Sequence, residues 1–344
     1  MAEELIPAMV GVGGQDEFVL GTTGIGVGAH GMRPFPGRSE GRVDAIDPYT
    51  KAHRSVPNKL VAFATWMRLT SFNRLIPGNF DVMFLPNLEM VGRPKIPYVL
   101  LVHDLSFLIE PRWFSAKTRL WHRVARAEEL IRGADALLAV SERTKEDLVR
   151  LLGIPLERIE RIPLGLTNQV HITHHTSHIM GKTENERPYF LVLGGNDPRK
   201  NAACAMRAFE ELRKIVDVRL IVVGAGFKPA PGVTHIPRPS DEALRSLMRE
   251  ATALLYPSWY EGFGLPLHEA ATFGTPIIAS TAGALPETAP MGTVFFPPFK
   301  PHLWTQAMRL ALERPTSTHS PLSTDWSAAG HIVVDTLRRV AKNR

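Results

Sequence analysis

Residues 253–280 form one punctuated unit that narrows the fold class of the whole chain. Ala253-Leu254-Leu255-Tyr256 has the composition of a buried strand, and Ile277-Ile278-Ala279-Ser280 reads as the next one. Between them runs Ser258-Trp259-Tyr260-Glu261-Gly262-Phe263-Gly264-Leu265-Pro266-Leu267-His268-Glu269-Ala270. Pro266 suits a first helical turn, where a missing N–H costs nothing. Gly274 suits a left-handed helix stop, and Thr275-Pro276 follows it. The order is strand, glycine turn, helix N-terminus, strand. Unpaired backbone N–H groups at such a helix start form an anion site, with phosphate the commonest guest. Glu261 falls in the loop and Glu269 on the helix, eight residues apart. Both carboxylates are placed to reach hydroxyl groups of a molecule held there. Spacing alone also fits a helix with a solvated Glu at each end.

The rest of the chain repeats this alternation in two sections, as in doubly wound α/β domains. In the first, Phe18-Val19-Leu20, Val82 to Leu85, Tyr98 to Val102 and Ala136 to Val140 read as strands, and Ser141 caps a helix running to about Leu152. In the second, Tyr189 to Leu193, Leu220 to Val223, Ala253 to Tyr256, Ile277 to Ala279 and Val294 to Phe296 read as strands. Near-continuous apolar strands predict parallel sheets covered on both faces. Residues 21–50, rich in Gly and Pro, read as a long loop. A polar stretch without periodicity separates the sections and carries His171, His174, His175 and His178. A metal site and a solvated loop both fit that cluster, the loop better, since no carboxylate or cysteine completes a site.

Length and charge bound the function. A chain of 344 residues fits two domains. The net charge of +6, from 40 basic and 34 acidic residues, suits a protein that handles nucleotide diphosphates or meets an anionic membrane surface. It is too small and dispersed to argue for nucleic acid. The single cysteine, Cys204, excludes an intramolecular disulfide and reads as a small buried helix residue. No apolar run reaches a membrane span, and Glu3 and Glu4 stand where a secretory signal would be basic. The expectation is a cytoplasmic protein, peripheral at the inner membrane face at most. Pro111 to Gly133 carries Trp113, Phe114, Leu120, Trp121, Val124, Leu130 and Ile131 with Arg112, Lys117, Arg119, Arg123 and Arg126. Such a basic amphipathic helix lies on a membrane, meets a lipid-linked acceptor, or packs on the core with a solvated basic face. The last is the favoured reading, because Glu128 and Glu129 dilute the charge.

Gly194-Gly195-Asn196-Asp197-Pro198-Arg199-Lys200-Asn201 follows the first strand of the second section. Two cations beside a glycine turn make a diphosphate clamp, Arg as a planar fork and Lys as a point charge. Gly224-Ala225-Gly226 ends the following strand. His103-Asp104 stands just past the strand ending at Val102. Ligands of open parallel sheets bind outside the carboxyl ends of the strands. No D-x-D occurs, so the sequence gives no reason to propose a metal, and Arg199, Lys200 and the helix N-terminus would neutralise a leaving diphosphate.

The string P-S-x-Y-E-G-F-G-L-P-x-x-E-A over 257–270 closely resembles the E-x7-E signature of retaining family 4 glycosyltransferases, which have the GT-B fold. That fold is α/β, two Rossmann-like doubly wound domains with a cleft between them. The resemblance implies that Glu261 contacts the donor sugar and Glu269 the nucleotide ribose, with Gly262, Phe263, Gly264 and Leu265 at the donor. It implies that Arg199 and Lys200 hold the donor diphosphate beside Gly194 and Gly195, and that the Gly224 turn lies close to the nucleotide. Many family members carry Arg or Thr where this chain has Gly195. Residues 234–238 would give backbone contacts to the base, and Glu287 is structural. His103 would face the donor sugar from the first domain. The implied domains are 1–168 on the acceptor side, a linker at 169–187, a donor domain at 188–318 and a terminal helix at 326–344 crossing back. Residues 1–10 resemble the body of the family's first helix, which implies an N-terminally incomplete first domain lacking the usual first strand and glycine-rich loop.

The function so implied is metal-independent, retaining transfer of a sugar of mannose or glucose type from a nucleotide diphosphate sugar, with no cofactor. The acceptor would be a hydroxyl of a cell-surface glycan or its lipid carrier. The alternatives are an inactive nucleotide-sugar-binding scaffold, or another GT-B enzyme such as a nucleotide-sugar epimerase.

Overall fold

The computed structural model describes residues 5, 8–9, 19–23, 50–54, 80–88, 94–166, 187–228, 230–313 and 326–343. The chain divides into two compact units: residues 1–107, 115–167 and 324–344, and residues 108–114 with 168–323. The histidine-rich stretch, which falls in 171–178, lies outside the described residues.

In the first unit, β1 (Val19–Thr23) pairs in parallel with β2 (Thr50–Arg54). Residues 21–23 and 50, expected in a loop, are therefore strand. Four further strands, β3 (Met83–Leu85), β4 (Tyr98–Val102), β5 (Ala136–Ala139) and β6 (Ile159–Arg161), form a parallel sheet in chain order. Every residue of β4 and β5 is buried, as in a central strand covered on both faces. Each Leu or Val so buried contributes roughly 1.5–3 kcal/mol. Asp104 Oδ1 accepts from the Ser106 N–H at 2.9 Å at the start of α1 (Ser106–Ile109).

The basic segment is not one helix. A 3-10 turn at Pro111–Trp113 precedes α2 (Ala116–Val124) and α3 (Ala127–Gly133). Arg126, in the left-handed region at φ 52°, separates them. The break turns α3 so that Ala127, Leu130 and Ile131 are buried, while α2 keeps Leu120 and Trp121 exposed. The core-packing expectation holds for α3 and fails for α2. Helix α4 (Glu142–Leu152) matches its sequence signals: Ser141 Oγ caps the Thr144 N–H, and Gly153 ends it at φ 59°.

The second unit contains β7 (Tyr189–Leu193), a 3-10 turn at Pro198–Lys200, α5 (Ala202–Leu212), β8 (Arg219–Val223), β9 (Val233–Ile236), α6 (Asp241–Glu250) and β10 (Ala253–Tyr256). It continues through α7 (Leu265–Thr272), β11 (Ile277–Ser280), α8 (Leu285–Thr288), β12 (Val294–Phe296) and α9 (Pro301–Glu313). The six strands form one parallel sheet in the order β12-β11-β10-β7-β8-β9. Alternate β7 residues face opposite sides, as the strand period requires. Phe190 and Val192 join a core with Phe209 and Trp304, and Tyr189 and Leu191 join one with Met248 and Leu267. Cys204 is buried in α5, and burial pushes its thiol up to about 11.

From β7 the chain winds outward through β8 and β9; after β10 it winds the other way through β11 and β12. The winding reverses between β7 and β10, and an open α/β sheet opens its ligand crevice at the carboxyl ends flanking such a reversal. The glycine turn after β7 and the Glu261 loop after β10 are those two ends.

The last helix, α10 (Trp326–Lys342), groups with the first unit and packs on β4 and β5. Val333, Val334, Leu337 and Val340 form its buried stripe. Thr336 Oγ1 and Arg339 Nη2 both donate to Glu160 Oε2, at 2.9 and 2.8 Å.

Candidate functional site

The turn after β7 is built from glycines that touch. Gly194 and Gly195 have φ of 122° and 53°, and both N–H groups donate to the Val223 carbonyl, at 2.8 and 2.9 Å. A Cβ on Gly195 would lie 2.4 Å from the Ala225 oxygen, and one on Gly224 2.5 Å from the Gly195 nitrogen. This accounts for glycine at position 195: the two turns press backbone on backbone, and no side chain fits between. His235 Nε2 donates to the Gly224 carbonyl at 2.6 Å, which adds a side chain to a stretch where the sequence assigned none.

Asp197 Oδ1 accepts the Arg199 N–H at 2.9 Å and so caps the 3-10 turn. Asn201, left-handed at φ 52°, is buried and donates from Nδ2 to the carbonyls of Pro257 and Pro298, at 3.0 and 2.9 Å. The turn is thereby tied to the loop that follows β10. The Trp259 N–H donates to the Arg199 carbonyl at 2.8 Å, a second tie.

These ties bring Arg199 and Lys200 onto Glu261. Lys200 Nζ is 2.7 Å from Glu261 Oε1, and Arg199 Nη1 is 3.1 Å from Oε2. Lys200 also donates to the Tyr256 hydroxyl at 2.8 Å, and Arg199 to the Tyr260 carbonyl at 3.2 Å. Glu261 is 6% exposed, while the two cations keep 17–18% of their side chains exposed. One carboxylate thus sits beneath two cations that each keep part of the side chain exposed. Truncating one member of so buried a cluster is costly, because it leaves charge without its partner. Burial, with the Glu261 charge second, holds the Tyr256 phenol well above its usual range, so it stays protonated.

Glycine also shapes the floor beneath Glu261. The Ala284 N–H donates to the Glu261 carbonyl at 2.9 Å. Gly283 has φ 64°, and a Cβ there would lie 2.5 Å from both the Glu261 nitrogen and oxygen. Gly283→Ala is expected to destabilise the protein by about 1–3 kcal/mol and to lower turnover by moving Glu261. Thermal melting and an initial-rate assay check both parts.

At the start of α7, Gly264 takes φ 95° and Pro266 stands in the first turn. Among the described residues nothing accepts a hydrogen bond from the N–H of Gly262, Phe263, Gly264 or Leu265. That run of open donors at a helix start of positive partial charge fits an anion. Glu269 lies further along α7 with an exposed carboxylate that makes no ion pair or hydrogen bond to a described residue. Its crowded surroundings raise its pKa, outweighing the attraction of Arg245. Its neighbour His268 is buried against the Phe263 ring, centroids 5.4 Å apart, and neither ring nitrogen makes a well-formed hydrogen bond to a described residue. Burial pushes its pKa down to about 4, against a smaller opposing pull from the Thr288 backbone.

His103 stands past the end of β4. Its Nε2 lies 2.8 Å from the Pro86 carbonyl and 2.9 Å from Asn87 Oδ1. Both oxygens can only accept, so Nε2 carries the proton and Nδ1 keeps its lone pair. Burial lowers the pKa of this ring, so it is neutral at pH 7. Asp104 accepts from the N–H and hydroxyl of Ser106.

Arg199, Lys200, Glu261, Gly194, Gly195 and Gly224, chosen from the sequence, therefore meet at the switch point of one sheet. Gly262, Phe263, Gly264, Leu265 and Glu269 follow on the α7 start. His103 belongs to the other unit. Tyr256 and His235 were given no side-chain role. Asn201 and Gly283 stood in motifs that resemble the family's, the Arg-Lys-Asn turn and the loop after the E-x7-E helix, but with no role of their own. Among the described residues no cluster of three or more His, Cys, Asp or Glu is placed to hold a metal ion.

Comparison with known proteins agrees with this geometry. The family "Glycosyl transferases group 1" matches residues 176–331, and "Glycosyltransferase Family 4" matches residues 30–169. O-antigen chain mannosyltransferase B of Escherichia coli is 26% identical over 208 residues, covering 55% of this chain and 54% of that protein. The MMP alpha-(1->4)-mannosyltransferase of Mycolicibacterium hassiacum is 27% identical over 235 residues, 61% of this chain and 56% of that one. The chain thus spans about half the length of the curated relatives it matches. Among solved structures, the α,α-trehalose 6-phosphate synthase of Burkholderia multivorans superposes with a TM-score of 0.60 at 12% identity, over 95% of this chain and 97% of that one. The sucrose-phosphate synthase of Thermosynechococcus elongatus gives 0.56 at 17% identity, over 88% and 83%. The fold is GT-B, with two Rossmann-like units. Taken with the E-x7-E loop at the switch point, the two adjoining family matches establish that this chain belongs to the group 1, family 4 glycosyltransferases.

Proposed function

We propose that the chain transfers a hexose, mannose in the first instance, from a nucleotide diphosphate sugar to a hydroxyl of a cell-surface glycan or its lipid carrier. The observation that carries this is the Arg199–Glu261–Lys200 cluster beside the open N–H run of residues 262–265. The mannosyltransferase relatives support the choice of sugar.

In this reading the donor diphosphate lies on the N–H run and the outward faces of Arg199 and Lys200. Glu261 orients the donor sugar through its hydroxyls, and Glu269 binds the ribose. The bond from the anomeric carbon to the phosphate oxygen breaks as the acceptor oxygen bonds to the same face. The acceptor's proton passes to the departing phosphate, so the configuration is retained without a protein nucleophile. Arg199 and Lys200 stabilise the charge developing on the leaving group, the part a metal plays in other transferases. Closing the site against water limits donor hydrolysis. Peripheral attachment to a membrane belongs to the same reading.

The test is thermal stabilisation by GDP, UDP and their sugars, followed by transfer to a hydroxyl acceptor with the product anomer read by NMR. A ligand at 100 times its dissociation constant is expected to add about 2.7 kcal/mol. Stabilisation by one nucleotide with transfer and retained configuration supports the proposal. Stabilisation without transfer indicates a binding scaffold, conversion of free donor without acceptor an epimerase, and inversion excludes the mechanism.

A further inference from the structure

We propose that Tyr256 is a positioning residue for the transfer reaction, its hydroxyl aiming one N–H of Lys200 at the leaving diphosphate; the role rests on the function proposed above. A lysine ammonium has three N–H donors and no lone pair. On Lys200 one meets Glu261 Oε1 at 2.7 Å and a second meets the Tyr256 hydroxyl at 2.8 Å. The third makes no hydrogen bond to a described residue, and the side chain keeps 17% of its surface exposed. The donors are tetrahedrally disposed, so two fixed bonds set the direction of the third. Glu261 alone would leave the ammonium free to turn about its Cε–Nζ bond. With both acceptors in place that rotation is arrested.

The phenol is placed to accept. Glu261 acts on it by charge and by a side-chain hydrogen bond. A carboxylate can only accept, so the phenol's single proton serves Glu261 and its lone pairs are left to Lys200. A rigid frame holds the oxygen. Tyr256 ends β10, pairs with Ala279 of β11 and is 1% exposed. It belongs to the core of Leu254, Leu267, Ala279 and Leu285. Groups placed by strands hold their position better than groups on loops. The lysine stem is confined as well: a Cβ on Gly194 would lie 2.3 Å from Lys200 Cγ and 2.5 Å from its Cβ. Packing alone does not call for the hydroxyl. Phenylalanine would fill the same place in the strand and bring no polar group to satisfy in a buried site. Tyr189, another buried tyrosine of this sheet, gives the contrast. Its hydroxyl donates to the Leu247 carbonyl at 2.9 Å, a backbone partner with no part in the proposed reaction.

Tyr256→Phe removes the oxygen and keeps the ring. Turnover at saturating donor is expected to fall about tenfold to a hundredfold, the loss that follows a misdirected group. Donor KM is expected to stay within about threefold, since the interaction is made to charge that develops only in the transition state. In a Lys200→Ala background the same change is expected to cost less than about threefold, because the tyrosine acts through the lysine. A merely structural role would multiply the two losses. Tyr189→Phe, which also removes a buried hydroxyl, is expected to leave turnover unchanged. Melting midpoints are the folding control. Full turnover in folded Tyr256→Phe, multiplied losses, or an equal loss in Tyr189→Phe each overturns the proposal. Lys200→Ala alone separates the two levels. Normal turnover there sinks the diphosphate assignment and this proposal with it, whereas a slow Lys200→Ala beside a fast Tyr256→Phe sinks the positioning role only. A readout without turnover is the nitrogen NMR relaxation of the Lys200 ammonium, assigned by its loss in Lys200→Ala. Its order is expected to fall in Tyr256→Phe, and equal order in the two proteins overturns the proposal even where no transfer is found.

Discussion

Lys200→Ala is expected to lower turnover by a factor of about 100–1000, the effect of removing one preorganised donor from a developing negative charge. The reason lies in how many groups depend on that ammonium. It meets Glu261 Oε1 at 2.7 Å and the Tyr256 hydroxyl at 2.8 Å, and in the proposed function its outer face is offered to a diphosphate. Its loss removes leaving-group stabilisation and also leaves the buried Glu261 carboxylate held by Arg199 alone. Lys200→Arg does not restore the geometry, since a planar fork cannot take the place of a point charge over the Tyr256 ring. Glu261→Gln is expected to lower turnover by a similar factor, because it retains the shape and removes the charge that fixes both cations. The measurement is the initial rate of sugar transfer at saturating donor, with thermal melting as a folding control. Turnover within tenfold of wild type in folded Lys200→Ala contradicts the assigned role.

Acidification is expected to destabilise the protein through His268. The folded ring titrates near 4 against an ordinary value of 6.5, because burial disfavours the imidazolium. The unfolded chain binds the proton first, so stability falls as pH falls between these values. The contribution is complete above about pH 6.5, is reduced by about 2 kcal/mol at pH 5, and is reduced by about 3 kcal/mol below pH 4. His103 and His122 are shifted in the same direction by burial, so the wild-type pH slope contains more than one histidine. Urea unfolding of wild type and His268→Gln between pH 7 and 5 isolates the term. The variant is expected to lose about 2 kcal/mol less over that range, and parallel slopes refute it. The position of His268 beside Glu269 and against Phe263 means that this protonation also disturbs the start of α7, where the proposed function places the donor.

The strands that carry the donor half were legible because they are continuous apolar runs: Tyr189 to Leu193 and Ala253 to Tyr256 have the bounds expected. The strands that were missed lie at sheet edges. Val233–Ile236 and Ile159–Arg161 hold Thr234, His235, Glu160 and Arg161, and their pairing comes from a neighbour rather than from burial on both faces. The basic helix was misread because composition does not reveal the left-handed break at Arg126. In the site, Arg199, Lys200 and Glu261 announce themselves by charge beside glycine. Asn201 and Gly283 do not. Their work is to seat one loop on another, 56 and 97 residues away for the Asn201 bonds, and no local pattern encodes such a partner.

The pairing of Glu261 with both cations leaves the cluster one net positive charge, and so only a modest attraction for loose anions. An arriving phosphate meets one net positive charge instead of two, since the carboxylate already offsets half of the attraction. In the proposed function, full access to Arg199 and Lys200 requires a group that also engages Glu261, such as a sugar hydroxyl. The two halves of the donor are thereby read as a single object. In the proposed function the spent nucleotide, lacking the sugar, is expected to bind more weakly than the intact donor.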